Sequence, residues 1–349
     1  MVKNAMAVSL AALLILLLSA GYIMAGPETP TQNVSAELGK IKTGAKPPGR
    51  IAFLNEGDVW IMDTDGKNRQ KVCAAGNARG RVSFSPDNKV IAFARRGKEA
   101  SNLPSGEGGA HMLNDIFLAF VDSASVNTNW WNRITFGLGA SSPEWSQDGT
   151  EIFCQNDANA GLVDYLVPNY QMSRVNAGGG QEEFLRKDWQ TLKTLMTMPT
   201  VTGNKQKVAY AIRYNTDPTK EYAFQNAGVK IVNMSDIMQP ESEMRKASAG
   251  LKTATAPSWS PDGQWLAYIS NDLRNPGLYI VKHDLSDRRM VFAPSATQQL
   301  TVNPVGWSPN SQWMVFATGD GTIYTIDING DHLTPITGSG SNGYPAWSK

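Results

Sequence analysis

The hydrophobic positions of this chain fall in short runs, each carrying Ala between two large apolar residues and each preceded by an aromatic residue and a polar turn. The clearest case is Trp259-Ser260-Pro261-Asp262-Gly263 followed by Gln264-Trp265-Leu266-Ala267-Tyr268-Ile269. Proline fixes φ and removes a donor, Asp and Asn bond their own backbone, and Gly accepts positive φ, so the polar segment is a tight turn. β-rich runs on both sides make it a hairpin. A hairpin alone is marginal in water, so the copies must stack on one another.

Further copies stand at Phe84-Ser85-Pro86-Asp87-Asn88, Trp145-Ser146-Gln147-Asp148-Gly149, Trp307-Ser308-Pro309-Asn310-Ser311 and Trp347-Ser348-Lys349. The serines at 85, 146, 260, 308 and 348 are separated by 61, 114, 48 and 40 residues. The gap of 114 spans about two periods, and Met198-Pro199-Thr200-Val201-Thr202-Gly203-Asn204 before Lys207-Val208-Ala209-Tyr210-Ala211 supplies a worn copy inside it. Periods of roughly 40–60 residues with about four short strands each predict a β-propeller. Arg50-Ile51-Ala52-Phe53-Leu54 reads as a second strand without a first, and Tyr344-Pro345-Ala346-Trp347-Ser348 as a first strand without a second. Joined, they complete one blade from both ends of the chain and leave no open edge. The expected fold is all-β: a six-bladed propeller of four-stranded antiparallel blades, over residues 50–349.

The repeat resembles that of the TolB-type propellers, whose blades run Ser-Pro-Asp-Gly, strand, Ile-Tyr-x-x-Asp, a turn Gly, then Leu-Thr. Asp58-Val59-Trp60-Ile61-Met62-Asp63-Thr64-Asp65-Gly66 matches this pattern, as do Thr322-Ile323-Tyr324-Thr325-Ile326-Asp327-Ile328-Asn329-Gly330 and Leu333-Thr334. The resemblance implies the fold; it does not imply one function, because this propeller hosts many. TolB carries an α/β domain ahead of its propeller, whereas only residues 26–49 separate this propeller from the apolar N-terminal run, so TolB's partner contacts are not carried over.

Ahead of the propeller, Lys3 leads into an apolar run from Ala5 to Ala25. Ala5–Leu18 fits the core of a secretory signal, with Ala20 or Ala25 before a cut. The whole run also suffices for a spanning helix, which needs about 20 apolar residues. Either reading places the propeller outside the cytoplasm, in the periplasm, with Lys3 inside; a retained membrane anchor over residues 5–25 is the one favoured. No Cys follows the run, which excludes a lipoprotein signal. Residues 26–49, rich in Pro, Gly and polar residues, read as a flexible tether.

Charge and chemistry narrow the function. With 32 basic and 31 acidic residues the net charge is +1, and nucleic acid finds no electrostatic footprint. Arg95-Arg96-Gly97-Lys98 reads as a solvated loop edge. The three histidines, His111, His283 and His332, share no ligand spacing, and the Asp-rich turns at Asp63 and Asp327 lack the further oxygens a calcium loop requires. No Gly-x-Ser-x-Gly nucleophile motif is present. Cys73 and Cys154 fall in blades one and three, too far apart for a disulfide. No cofactor, metal or catalytic residue is expected, and the repeated Trp145, Trp259, Trp307 and Trp347 are expected in the core.

Strand order places the long insertions Gly97–Asn114, Asn156–Asn169 and Tyr214–Ala227 between the second and third strands of blades two, three and four, all on one face. Long loops on a rigid scaffold are where binding usually sits. The candidate partner contacts are therefore Leu103, His111, Met112, Trp130, Trp131, Leu162, Tyr165, Tyr214, Tyr222 and Phe224. The expected function is a non-catalytic, extracytoplasmic scaffold for protein–protein interaction, an accessory subunit of an envelope or membrane complex. The alternative is a periplasmic small-ligand binder or enzyme that uses the axial pocket and the long loops of blades two to four.

Overall fold

The repeated turns are held by one set of hydrogen bonds. Ser260 Oγ donates to Asp262 Oδ1 at 2.5 Å, the Gln264 N–H donates to the same oxygen at 3.0 Å, and the Trp265 N–H donates to Ser260 Oγ at 2.9 Å. Ser85 with Asp87, Ser146 with Asp148 and Ser308 with Asn310 repeat the arrangement. The worn copy keeps it with other side chains: Thr202 Oγ1 donates to Asn204 Oδ1 at 2.8 Å and accepts the Lys207 N–H at 3.0 Å. Replacing Asp262 by Ala removes two acceptor contacts from a half-exposed turn and is expected to cost about 1 kcal/mol in urea denaturation.

These turns link the first and second strands in five of the six four-stranded antiparallel blades of a computed structural model. The structure describes residues 42–96, 114–121, 131–136, 139–157, 170–185, 194–215, 224–238, 245–251, 253–295 and 298–349. The first strands are Asn342–Trp347 in blade one, then Ala78–Phe84, Ser141–Trp145, Thr194–Val201, Ala254–Trp259 and Gly306–Trp307 in blades two to six. Blade one is completed across the chain, with Ile51 opposite Trp347, Ala52 opposite Ala346 and Asn55 opposite Asn342. The Arg50 N–H donates to Ser348 Oγ at 3.0 Å, and the Ser348 N–H returns to the Arg50 carbonyl at 2.8 Å. The predicted propeller and its closure are therefore both present.

Antiparallel order puts the turns after first and third strands on one face, the turn face. The loops between second and third strands share the other, the loop face, with the blade-to-blade connections. On the turn face Lys205 Nζ stands 2.8 Å from Asp148 and 2.6 Å from Glu151, tying blade four to blade three. Lys205, with the Ser146 and Thr150 hydroxyls and the Thr150 N–H, holds the Asp148 carboxyl well below the usual carboxylate range. Residues 42–49 lie along the same face over blade six. The Gly44 N–H donates to Gln312 Oε1 at 2.6 Å, and Trp313 Nε1 donates to the Gly44 carbonyl at 3.1 Å. The described end of the tether is thus seated on the ring.

The core lies between blades, where sheet faces stack. Phe53, Phe84, Phe93, Tyr210, Tyr268 and Phe316 are almost fully buried there. Cys73 and Cys154 are free and buried, as expected, and burial pushes both thiols up to about 12. Both are expected to resist alkylation by iodoacetamide at pH 8 in the native protein and to react once it is unfolded, which mass spectrometry reads directly.

Several boundaries differ from the sequence reading. Asn156 and Asp157 pair with Gln171 and Tyr170, and Tyr214 and Asn215 pair with Gln225 and Phe224. The insertions of blades three and four are shorter than expected because these ladders run on past the blade pattern. Arg95 is no solvated edge: its guanidinium lies over Phe117 and Trp131, 5.8 and 5.3 Å from the ring centres, and donates to the Ala75 carbonyl at 2.9 Å.

Candidate functional site

Most of the predicted contact residues, Leu103, His111, Met112, Trp130, Leu162, Tyr165 and Tyr222, lie outside the described residues. Tyr214 and Phe224 are ladder positions at the loop-face end of blade four rather than loop residues. Trp131 opens the outer strand of blade two opposite Ala119 and is half-buried under Arg95. Of the other histidines, His332 is a turn residue as expected, with Nδ1 2.9 Å from Asp327 Oδ2, and His283 Nδ1 stands 2.9 Å from Lys207 Nζ.

A residue the sequence reading passed over sets the centre of the ring. Each first strand of blades two to five carries a bulge, two residues without ladder partners. In blades three, four and five these are Ser142-Pro143, Met198-Pro199 and Ala256-Pro257. Proline suits the second position because its missing N–H has no ladder partner to lose. In blade two the bulge falls one residue earlier, at Gly80-Arg81, and Arg81 stands where the others have proline. Gly80 has φ 71°, which supplies the left-handed conformation that Ser142, Met198 and Ala256 adopt at φ 53–54°.

Arg81 consequently reaches across the axis. Its Nη1 is 2.5 Å from Glu144 Oε2 and 3.1 Å from the Pro199 carbonyl, and its Nη2 is 2.7 Å from the Pro257 carbonyl. Thr200 Oγ1 donates to the other Glu144 oxygen at 3.0 Å. One guanidinium thereby joins blades two, three, four and five, and it is 8% exposed. The pair is a plug across the channel.

On the turn-face side of this plug opens a cavity of about 450 Å³. Phe84, Trp145, Trp259, Trp307 and Trp347 form its wall, and Pro86, Pro261 and Pro309 its rim. The repeated tryptophans are core residues, as expected, and they also line this bowl. Lys349 stands at the mouth with Nζ 3.3 Å from the Trp145 carbonyl, and burial lowers the pKa of its ammonium. Arg81 and Glu144 pair at the floor, beneath a largely aromatic wall. The bowl opens on the turn face, whereas the strands flanking the insertions of blades two to four end on the loop face.

Among the described residues no group of three or more His, Cys, Asp and Glu is placed to hold a metal ion, and no helix is long and apolar enough to cross a membrane. Residues 1–41, with the expected signal or anchor, lie outside the described residues.

No protein-family model matches the sequence, and no curated protein matches it. Solved structures do resemble it. TolB from Acinetobacter baumannii superposes with a TM-score of 0.60 at 18% identity, covering 86% of this chain and 66% of that one. This chain thus spans just under two thirds of that TolB. A chain assigned as TolB in Agrobacterium tumefaciens gives 0.55 at 13% identity, covering 86% and 99%. A chain of a nidogen/laminin complex gives 0.56 at 9% identity, covering 86% and 98%. At these identities the likeness is one of fold. The molecule is a six-bladed β-propeller closed by its two ends, and its structural neighbours are TolB and related propellers.

Proposed function

We propose that the protein is a non-catalytic, extracytoplasmic propeller that binds a protein partner on its loop face, as an accessory subunit of an envelope or membrane complex held by its N-terminal helix. One observation carries the reading. The first-to-second-strand turns are short in the described blades and the third-to-fourth connections lengthen only in blades two and four, whereas on the loop face three consecutive blades interrupt the step from second to third strand with insertions, between Arg96 and Asn114, Asp157 and Tyr170, and Asn215 and Phe224. Blades one and six make the same step in tight turns, Asn55 to Asp58 and Ala317 to Ile323. Such one-sided building on a rigid ring is the pattern of a docking surface. A nidogen/laminin complex among the neighbours shows the same fold within a protein assembly.

The test is cross-linking and co-purification of the full-length protein from its native membranes, repeated with each insertion replaced by a short Gly-Ser turn. Loss of the partner from variants that keep the native melting transition supports the proposal. Retention with all three insertions shortened overturns it. The aromatic bowl supports a second reading, a small apolar ligand on the turn face, and partner retention together with quenching of the bowl tryptophans by such a ligand would favour it.

A further inference from the structure

The loop-face mouth of the axis holds a second cavity, of about 600 Å³, where blades one, two and six meet. Much of its wall is bare backbone, from Gly57, Gly319, Gly321, Gly340 and Gly343. The openness is built in: a Cβ on Gly343 would stand 3.3 Å from Asn303 Nδ2, and one on Gly321 would run into the Gly340 carbonyl at 1.7 Å.

Two side chains on this wall have donors to spare. Asn303 is 8% exposed, lines the cavity, and its amide makes no hydrogen bond among the described residues. The neighbouring amides are committed: Asn342 Nδ2 donates to the Gly321 carbonyl at 2.9 Å, and Asn55 Nδ2 donates to Asn342 Oδ1 at 2.9 Å. Asn303 thus offers its amide to the cavity. Arg79, at the start of the first strand of blade two, lines the same cavity and has no carboxylate partner among the described residues. Arg79 is exposed, and partial desolvation with the nearby Arg96 lowers its pKa.

A guanidinium and an unpaired amide facing one cavity suit a planar group with two acceptor oxygens, and a carboxylate is such a group. Glu56 on the rim opposes a second negative charge, which disfavours a phosphate dianion. The cavity opens on the face that carries the insertions, beside the half they occupy. Resting on the proposed loop-face docking, we infer that this vestibule receives an Asp or Glu side chain from the protein partner, with Arg79 and Asn303 as its hydrogen-bond donors.

The test is NMR of the full-length protein, following the Asn303 side-chain amide and Arg79 Nε during titration with acetate, a capped Gly-Glu-Gly peptide, inorganic phosphate and chloride. Saturable shifts with acetate and peptide, weaker response to phosphate and none to chloride are expected. Arg79→Gln and Gly343→Ala are each expected to weaken the peptide response about ten-fold, the loss of one charge-assisted contact. No saturable shift, or shifts indifferent to Arg79→Gln, overturns the inference. Binding of acetate without the peptide overturns the protein source. Co-purification separates the two proposals: a partner held as well by Arg79→Gln as by the native protein defeats the vestibule alone, whereas a partner indifferent to the insertions defeats the loop-face reading.

Discussion

Replacing Arg81 by Ala is expected to destabilise the ring by about 3–5 kcal/mol, the cost of breaking a buried ion pair by removing one partner. Three losses combine. Glu144 keeps its charge with the Thr200 hydroxyl and the field of Lys349 in place of the guanidinium, and the Pro199 and Pro257 carbonyls lose their donor. The first strands of blades two to five also lose the one group that touches all of them. Glu144 is 19% exposed at the side chain, so water recovers part of its solvation and the lower end of the range applies. Arg81→Met with Glu144→Gln removes both charges and is expected to recover much of the loss. Urea denaturation of the native protein, Arg81→Met, Glu144→Gln and the double variant forms a double-mutant cycle; a coupling energy within error of zero would show that the plug does not hold the blades together.

Deleting residues 342–349 is expected to do more. The deletion strips the first strand from blade one, exposes the edge of Arg50–Asn55, and leaves Ile51, Phe53 and Trp313 without the packing that Trp347 supplies. It also removes the turn-face link in which Asn88 exchanges hydrogen bonds with the Lys349 backbone, both at 2.6 Å. The bared edge of Arg50–Asn55 invites edge-to-edge association. The truncated protein is expected to lose its cooperative melting transition and to elute as aggregates in gel filtration. A monomer that melts within a few degrees of the full chain would show that closure is dispensable.

Most of the architecture was legible because the turn is a chemical device with few solutions. A hydroxyl, an acceptor two residues on and a residue tolerant of positive φ define it, so four copies were plain. The worn copy had lost its aromatic residue and its Ser-Pro but kept a turn and its strand, and that turn carries the same bonds: Thr202 stands for Ser, Asn204 for Asp, and Lys205 takes the left-handed position at φ 58°. The plug was not legible. Arg81 matters because a bulge moved by one residue, and bulge position follows from register between strands, which local composition does not encode. Pro143, Pro199 and Pro257 at one repeat position, with Arg81 one residue out of step, was the available signal. Tyr214 and Phe224 were misplaced for a related reason: aromatic residues suit a ladder as well as a loop, and only pairing across the hairpin decides. The vestibule joins Arg79, Asn303 and Gly343, which are far apart along the chain and share no motif.

The closing blade also has a kinetic side. The Arg50 amide finds its Ser348 partner 298 residues along the chain, so the ring cannot shut until almost every other residue has been made. Contacts of such separation slow folding, because loop-closure entropy must be overcome before they contribute. During synthesis the Arg50–Asn55 strand waits with one side unpaired. Late closure makes the final strand the latch that commits the chain to the native state.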